Sequence, residues 1–147
     1  MATLARIDEL CDSVAAALTA AAHGTATVTA ADDVPDVDFE TITERLVFVT
    51  PVGREDRGPV SRRQDGRAYQ VGVVVVERYT AAGKMTRAWR SERTAWVDEV
   101  VVSTIGDARS RIEGAYAERI ETTEDREEQV ERKLFWSETV VTLVEEC

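Results

Sequence analysis

The stretch that decides the fold is Ala68–Tyr79, which reads AYQVGVVVVERY. Four consecutive valines, Val73–Val76, follow Tyr69, Val71 and Gly72. β-Branched and aromatic side chains fit a pleated backbone, so this is the clearest strand of the chain. Successive side chains on a strand point to opposite faces. Tyr69, Val71, Val73 and Val75 therefore share one face, and Gln70, Gly72, Val74, Val76 and Arg78 the other. The second face is too apolar for plain solvated surface, so a central strand with both faces covered is expected, the second by another subunit. Val74 and Val76, with Trp136 from the last strand, are the expected subunit-interface residues.

Upstream, Leu46–Val52 (LVFVTPV) reads as a second strand, and Pro51 confines that end to an edge or an exit. Between the two lies GREDRGPVSRRQDGR, Gly53–Arg67, with three glycines, one proline and no apolar periodicity. It is expected to be a long mobile loop. Arg54, Arg57, Arg62, Arg63 and Arg67 outnumber Glu55, Asp56 and Asp65 there, which makes the segment locally basic. Those five arginines are the expected partner-binding residues, because guanidinium groups form forked bonds to carboxylates. A solvated hairpin tip is the plainer alternative.

Further out, Leu4, Ile7, Leu10, Cys11, Val14, Ala17, Leu18 and Ala21 recur at three- and four-residue steps, predicting a helix over 2–22 capped by Thr3 and stopped by Gly24. Thr25–Ala30 suits a short strand, and Ala31–Asp38 an acidic connection. A second helix is expected over 91–108, with Trp96, Val97, Val100, Val101, Thr104 and Ile105 on one face and an exit at Gly106 or Gly114. Ala115–Glu121 and Leu134–Val144 read as strands flanking a charged loop or turn of helix at 122–132. The order predicts one α+β domain over 1–147: a mostly antiparallel sheet with two helices packed on one face.

Composition narrows the function. Charged residues are 31% and hydrophobic residues 44% of 147, as in a folded domain. The net charge of −10 opposes generic binding to nucleic acid or anionic membrane. The bases are arginines apart from Lys84 and Lys133, a bias that fits a high-GC genome or a salty cytoplasm. No stretch has the ~20 apolar residues of a membrane span. Asp8, Glu9 and Asp12 interrupt any signal-peptide core, so folding in a cytoplasm is expected. Cys11 and Cys147 are expected to be free thiols there.

Catalytic and cofactor signatures do not assemble. His23, the one histidine, sits at a helix exit where an imidazole caps the last carbonyls. One histidine and two distant cysteines make no zinc site within a chain, and no glycine-rich phosphate loop occurs. The acidic runs at 32–44 and 118–131 lack the ligand spacing of a calcium loop. Trp89, Trp96 and Trp136 each lie on an apolar stripe, which assigns them to the core before any ligand. Neither an enzyme nor a cofactor is expected.

The element order, with DVPDVDFETITERLVFVTPVG at 33–53, YQVGVVVVER at 69–78, TAWVDEVVVSTI at 94–105 and FWSETVVTLV at 135–144, resembles the tail-terminator and tail-completion proteins of long-tailed phages and related prokaryotic viruses. The resemblance spans nearly the whole chain and rests on order and pattern. It implies an α+β fold and a self-assembled ring, typically a hexamer. Such a ring caps the tail tube, ends its growth and docks the head or neck connector proteins. The implied place is the tail or neck of a virion assembled in host cytoplasm. The implied partners are the chain itself, the tail tube protein and the connector proteins, with DNA only passing through an acidic channel. A head-completion or neck connector protein, and a small cytoplasmic ligand-binding or regulatory dimer, are the alternatives.

Overall fold

The computed structural model describes residues 5–35, 38–61, 64–106, 112 and 114–146, with backbone alone for those of 55–67 and 145–146. Valine-rich β3, Gln64–Arg78, lies at the middle of a five-stranded sheet of order β1-β2-β3-β5-β4. β2 is Leu46–Ser61, β5 is Leu134–Glu146 and β4 is Tyr116–Glu124, and these pair antiparallel with their neighbours. β1, Thr27–Ala30, runs parallel to β2. The sheet is mixed and mostly antiparallel, and the fold is α+β as expected.

Helix α1, Arg6–Ala22, buries Leu10, Cys11, Val14, Ala15, Leu18 and Ala22. Thr3, the expected cap, lies outside the described residues, and Ala5 occupies the cap position without a side-chain bond. His23 takes the left-handed conformation at φ 50°, followed by Gly24 at φ 80°, so the chain reverses where the sequence places the stop. The bond closing the last turn runs from Thr25 Oγ1 to the Ala22 carbonyl, at 2.6 Å.

The second helix begins earlier than its apolar pattern indicates. Thr86 accepts the Trp89 N–H at 3.2 Å and opens α2, Arg87–Trp96. A π-helical turn over Val97–Val102 follows, then α3, Ser103–Gly106. The Ser103 N–H and hydroxyl both reach the Asp98 carbonyl. Three β-branched residues in succession crowd an ordinary helical turn, and this wider turn occurs where they stand. It leaves Val97, Val101 and Ile105 as the buried residues of the segment. Ala108 lies outside the described residues. The charged segment after β4 contains a short helix, α4 (Arg126–Glu131), capped by the Asp125 carboxylate on the Glu128 N–H at 3.1 Å.

One core joins Leu10, Val14 and Leu18 of α1, Val97, Val101 and Ile105, and the odd-numbered strand residues Val47, Val49, Tyr69, Val71, Val73, Val75, Phe135, Val141 and Leu143. Each such fully buried side chain contributes roughly 1.5–3 kcal/mol by leaving water. On the even-numbered face a second cluster forms from Ile42, Phe48, Val74, Val76 and Leu134, roofed by Val34, Phe39, Leu46 and Trp136.

The structure differs from the sequence reading most at 53–67. β2 and β3 continue into that stretch as a hairpin arm, paired from Leu46↔Val76 out to Ser61↔Gln64, in place of the expected loop. Register shifts fall between Pro51 and Gly53, Asp56 and Pro59, and Pro59 and Ser61. At the first shift Val52 is the extra residue, and its side chain lies over Gly72. A Cβ at Gly72 would stand 3.0 Å from Val52 Cγ2 and 3.2 Å from Thr50 Oγ1, so any larger residue there would press on the bulge. β1 pairs with β2 as far as Val49, and among the described residues the outer edge of β2 has no strand partner from Thr50 onward.

Candidate partner-binding surfaces

The five arginines expected to meet a partner are distributed along the arm. Arg54 is exposed on β2 in register with Tyr69. Arg57 lies on the β2 backbone, and Arg67 stands in register between Asp56 of β2 and Glu145 of β5. Arg62 and Arg63 lie outside the described residues. Among the described residues β5 pairs with β3 as far as Glu146 opposite Gly66, and Asp65 and Gln64 of β3 pair with β2.

The apolar second face has its cover within the chain. Val74 is 4% and Val76 0% exposed, enclosed with Ile42, Phe48 and Leu134. Phe39 stands edge-on to Trp136 with ring centroids 5.4 Å apart. The cover that the sequence reading assigned to another subunit comes from the chain's own Val34, Phe39 and Ile42, which fold back across the sheet. Trp136 keeps one partly exposed flank beside a pocket it shares with Thr123, Asp125, Arg126 and Glu138.

A polar lattice that the sequence reading missed surrounds Glu77 at the end of β3. Its carboxylate accepts from Arg45 Nε at 3.1 Å and from Arg93 Nε. Each guanidinium also lies over an indole: Arg45 is 4.5 Å from the Trp96 ring centroid and Arg93 4.2 Å from that of Trp89. Trp96 Nε1 donates to Thr25 Oγ1 at 3.2 Å, and Trp89 packs edge-on against Tyr79 at 5.0 Å. This lattice ties the end of α1, the start of β2, the end of β3 and α2 together. Trp89 and Trp96 pack at the margin of the main core, as their apolar stripe indicates. The available signal was the four-residue spacing of Trp89 and Arg93 on one helix.

Two further places carry chemistry-bearing groups. Cys11 is buried, and burial first, then the charges of Asp8, Asp12 and Asp32, push its thiol up to about 11. That makes it a poor nucleophile near neutral pH. Cys147 lies outside the described residues. The second place is a pocket of about 150 Å³ between α2 and α4, lined by Lys84, Met85, Arg90, Arg126, Gln129 and Val130. No group of three or more His, Cys, Asp or Glu side chains among the described residues could hold a metal ion. No described helix is long and apolar enough to cross a membrane.

No family model matches the chain, and no curated protein matches its sequence. Similarity is found among solved structures. The chain is similar to one in the "Virion of native gene transfer agent (GTA) particle", at 16% identity, a TM-score of 0.45, and coverage of 94% of this chain and 95% of that one.

Sequence reasoning singled out the arm and the valine face, and did not see the Glu77 lattice or the α2–α4 pocket. Arg126 is far in the chain from Lys84 and Arg90, and each reads alone as an ordinary surface charge. Only the packing of α4 beside the start of α2 brings them to one place.

Proposed function

We propose that this chain is a structural protein of a virion: a ring-forming tail terminator that caps the tail tube and joins it to the head or neck. The observation that carries the reading is the β2–β3 arm, which continues past the core on an otherwise ordinary α+β domain. An arm of this kind adds reach without adding core, and its basic residues suit contact with an acidic neighbour. The two sheet edges support the same reading. β1 forms one edge and β4 the other, with different sequences and directions, which suits a head-to-tail contact between copies that closes into a ring. The element order and strand patterns that resemble the tail-terminator family point to a hexamer. The partners are then neighbouring copies of the chain, the tail tube protein and the connector proteins of the neck. DNA passes through the channel without binding, because a net charge of −10 repels phosphate.

Particle imaging of the purified protein, alone and with tail tubes, tests this. Rings with a central hole, seated at one end of the tube, are the expected result. A strict monomer in both settings overturns the reading.

A further inference from the structure

Helix α2 lies on the sheet without entering the core. From Thr80 to Trp96 every residue is partly or wholly exposed, between Tyr79 at 8% and Val97 at 1% exposure. Trp89 and Trp96 reach only the margin of the core. The remaining hold on the helix is polar and runs through two carboxylates at strand ends. Glu77 of β3 accepts from Arg93, while Glu124 of β4 accepts from Thr94 Oγ1 at 2.8 Å and lies 3.7 Å from Arg90. Beneath the end of the helix is a pocket of about 240 Å³, with Thr94 and Val97 on one side and Thr122, Phe135 and Ser137 of the sheet on the other. Ser137 is 1% exposed, and its hydroxyl has no hydrogen-bond partner among the described residues. The seat of the helix is therefore neither filled nor fully paired.

Both ends of this segment suit a hinge. Gly83, at φ 87°, turns the exposed connection before α2. After Trp96 the helix widens into the π-helical turn, where the Val97 N–H is shared between the Arg93 and Thr94 carbonyls. Beyond that point Val97, Val101 and Ile105 fix the chain in the core. A segment with few buried apolar contacts, bounded by anchored residues, opens at a lower free energy than the sheet beneath it. We propose that α2 is a strap that opens and closes as one unit on the folded sheet, turning at Gly83 and at the π-helical turn and latched by Glu77 and Glu124. The latch is ionic and its side chains are partly exposed, so salt loosens it. Salt acts in the opposite sense on the whole domain, because it screens the self-repulsion of a net charge of −10. Ionic strength thus sets how often the strap is open without unfolding the sheet. The inference does not rest on the virion reading.

Native-state amide exchange of the full chain, followed residue by residue by NMR, tests it. The amides of Arg90–Trp96 are expected to exchange with one common protection, at least ~tenfold below that of the β3 and β5 amides in the core. Raising NaCl from ~0.1 M to ~1 M is expected to speed α2 exchange about threefold and to leave strand exchange unchanged or slower. Glu124→Ala removes the bonds to Arg90 and Thr94, and is expected to speed α2 exchange about tenfold while strand exchange changes little. The salt response of the unaltered chain decides the matter if that variant fails to fold. Exchange of α2 at the strand rate, fraying graded from the Thr86 end, or α2 rates indifferent to salt or to Glu124→Ala overturns the proposal.

Discussion

β2 and β3 are two strands with two chemistries along one ladder. Near the helices, Val47, Val49, Val71, Val73 and Val75 are fully buried or nearly so, and packing holds the strands together. Farther out the same strands carry Arg54, Glu55, Asp56, Arg57, Asp65 and Arg67, interrupted by Pro59 and three glycines. The difference is one of composition along a continuous backbone ladder, valine within and charged residues, Pro59 and glycines without. The inner half should govern stability and the outer half contacts.

Breaking the inner half should have the largest effect. Val73→Asp places a carboxylate with no partner among Leu and Val side chains, at an expected cost above about 4 kcal/mol and loss of the folded state in thermal or urea melts. A cooperative transition with an unchanged midpoint would show that the inner ladder does not carry the fold.

The buried thiol beneath that ladder gives a second expectation. The Cys11 thiol loses its proton near pH 9.0 in the unfolded chain and at about 11 in the folded one. The folded state therefore favours the neutral thiol. Its contribution is fully present below pH ~9 and is lost as pH rises through ~11, up to about 2–3 kcal/mol. Cys11→Ala should flatten that part of the pH–stability curve, and identical slopes in the two proteins would contradict it.

At the inner end of the ladder, beside α2, Glu77→Gln weakens the charge-assisted bonds from Arg45 and Arg93. A loss of about 2 kcal/mol in urea melts is expected, with the sheet intact by circular dichroism. The smallest effect belongs to the tip. Arg62→Glu combined with Arg63→Glu should change stability by less than about 0.5 kcal/mol, while preventing the capping or docking proposed for the arm. Particles with normal tails of uniform length from that double variant would show the arm to be solvated surface.

The inner half was legible because its signals are local. Alternating valines gave β3, three- and four-residue steps gave α1, and LFWSETVVTLV gave β5. The arm was not, because its side chains carry no alternation; pairing there comes from the adjoining strand, which a window of sequence does not contain. The cover over Val74 and Val76 escaped for a related reason. Phe39 and Ile42 sit in an acidic run without periodicity, and only the return of the chain across the sheet makes them core. In the π-helical turn and α3 the apolar stripe matches the sequence pattern, but the start of α2 does not follow from it, since Thr86 marks the boundary by a single hydrogen bond. The α2–α4 pocket depends wholly on tertiary placement.

The open edge of β2 has a consequence for how the isolated protein behaves at high concentration. An unprotected strand edge is a template for indefinite strand addition, which leads to fibrils and precipitates. Here Pro51 and Pro59 lack amide donors, the Val52 bulge breaks the even spacing that an incoming strand needs, and the net charge of −10 keeps chains apart. The same irregularities that disguise this edge in the sequence protect the chain from aggregation while leaving the strand free to meet a matched surface.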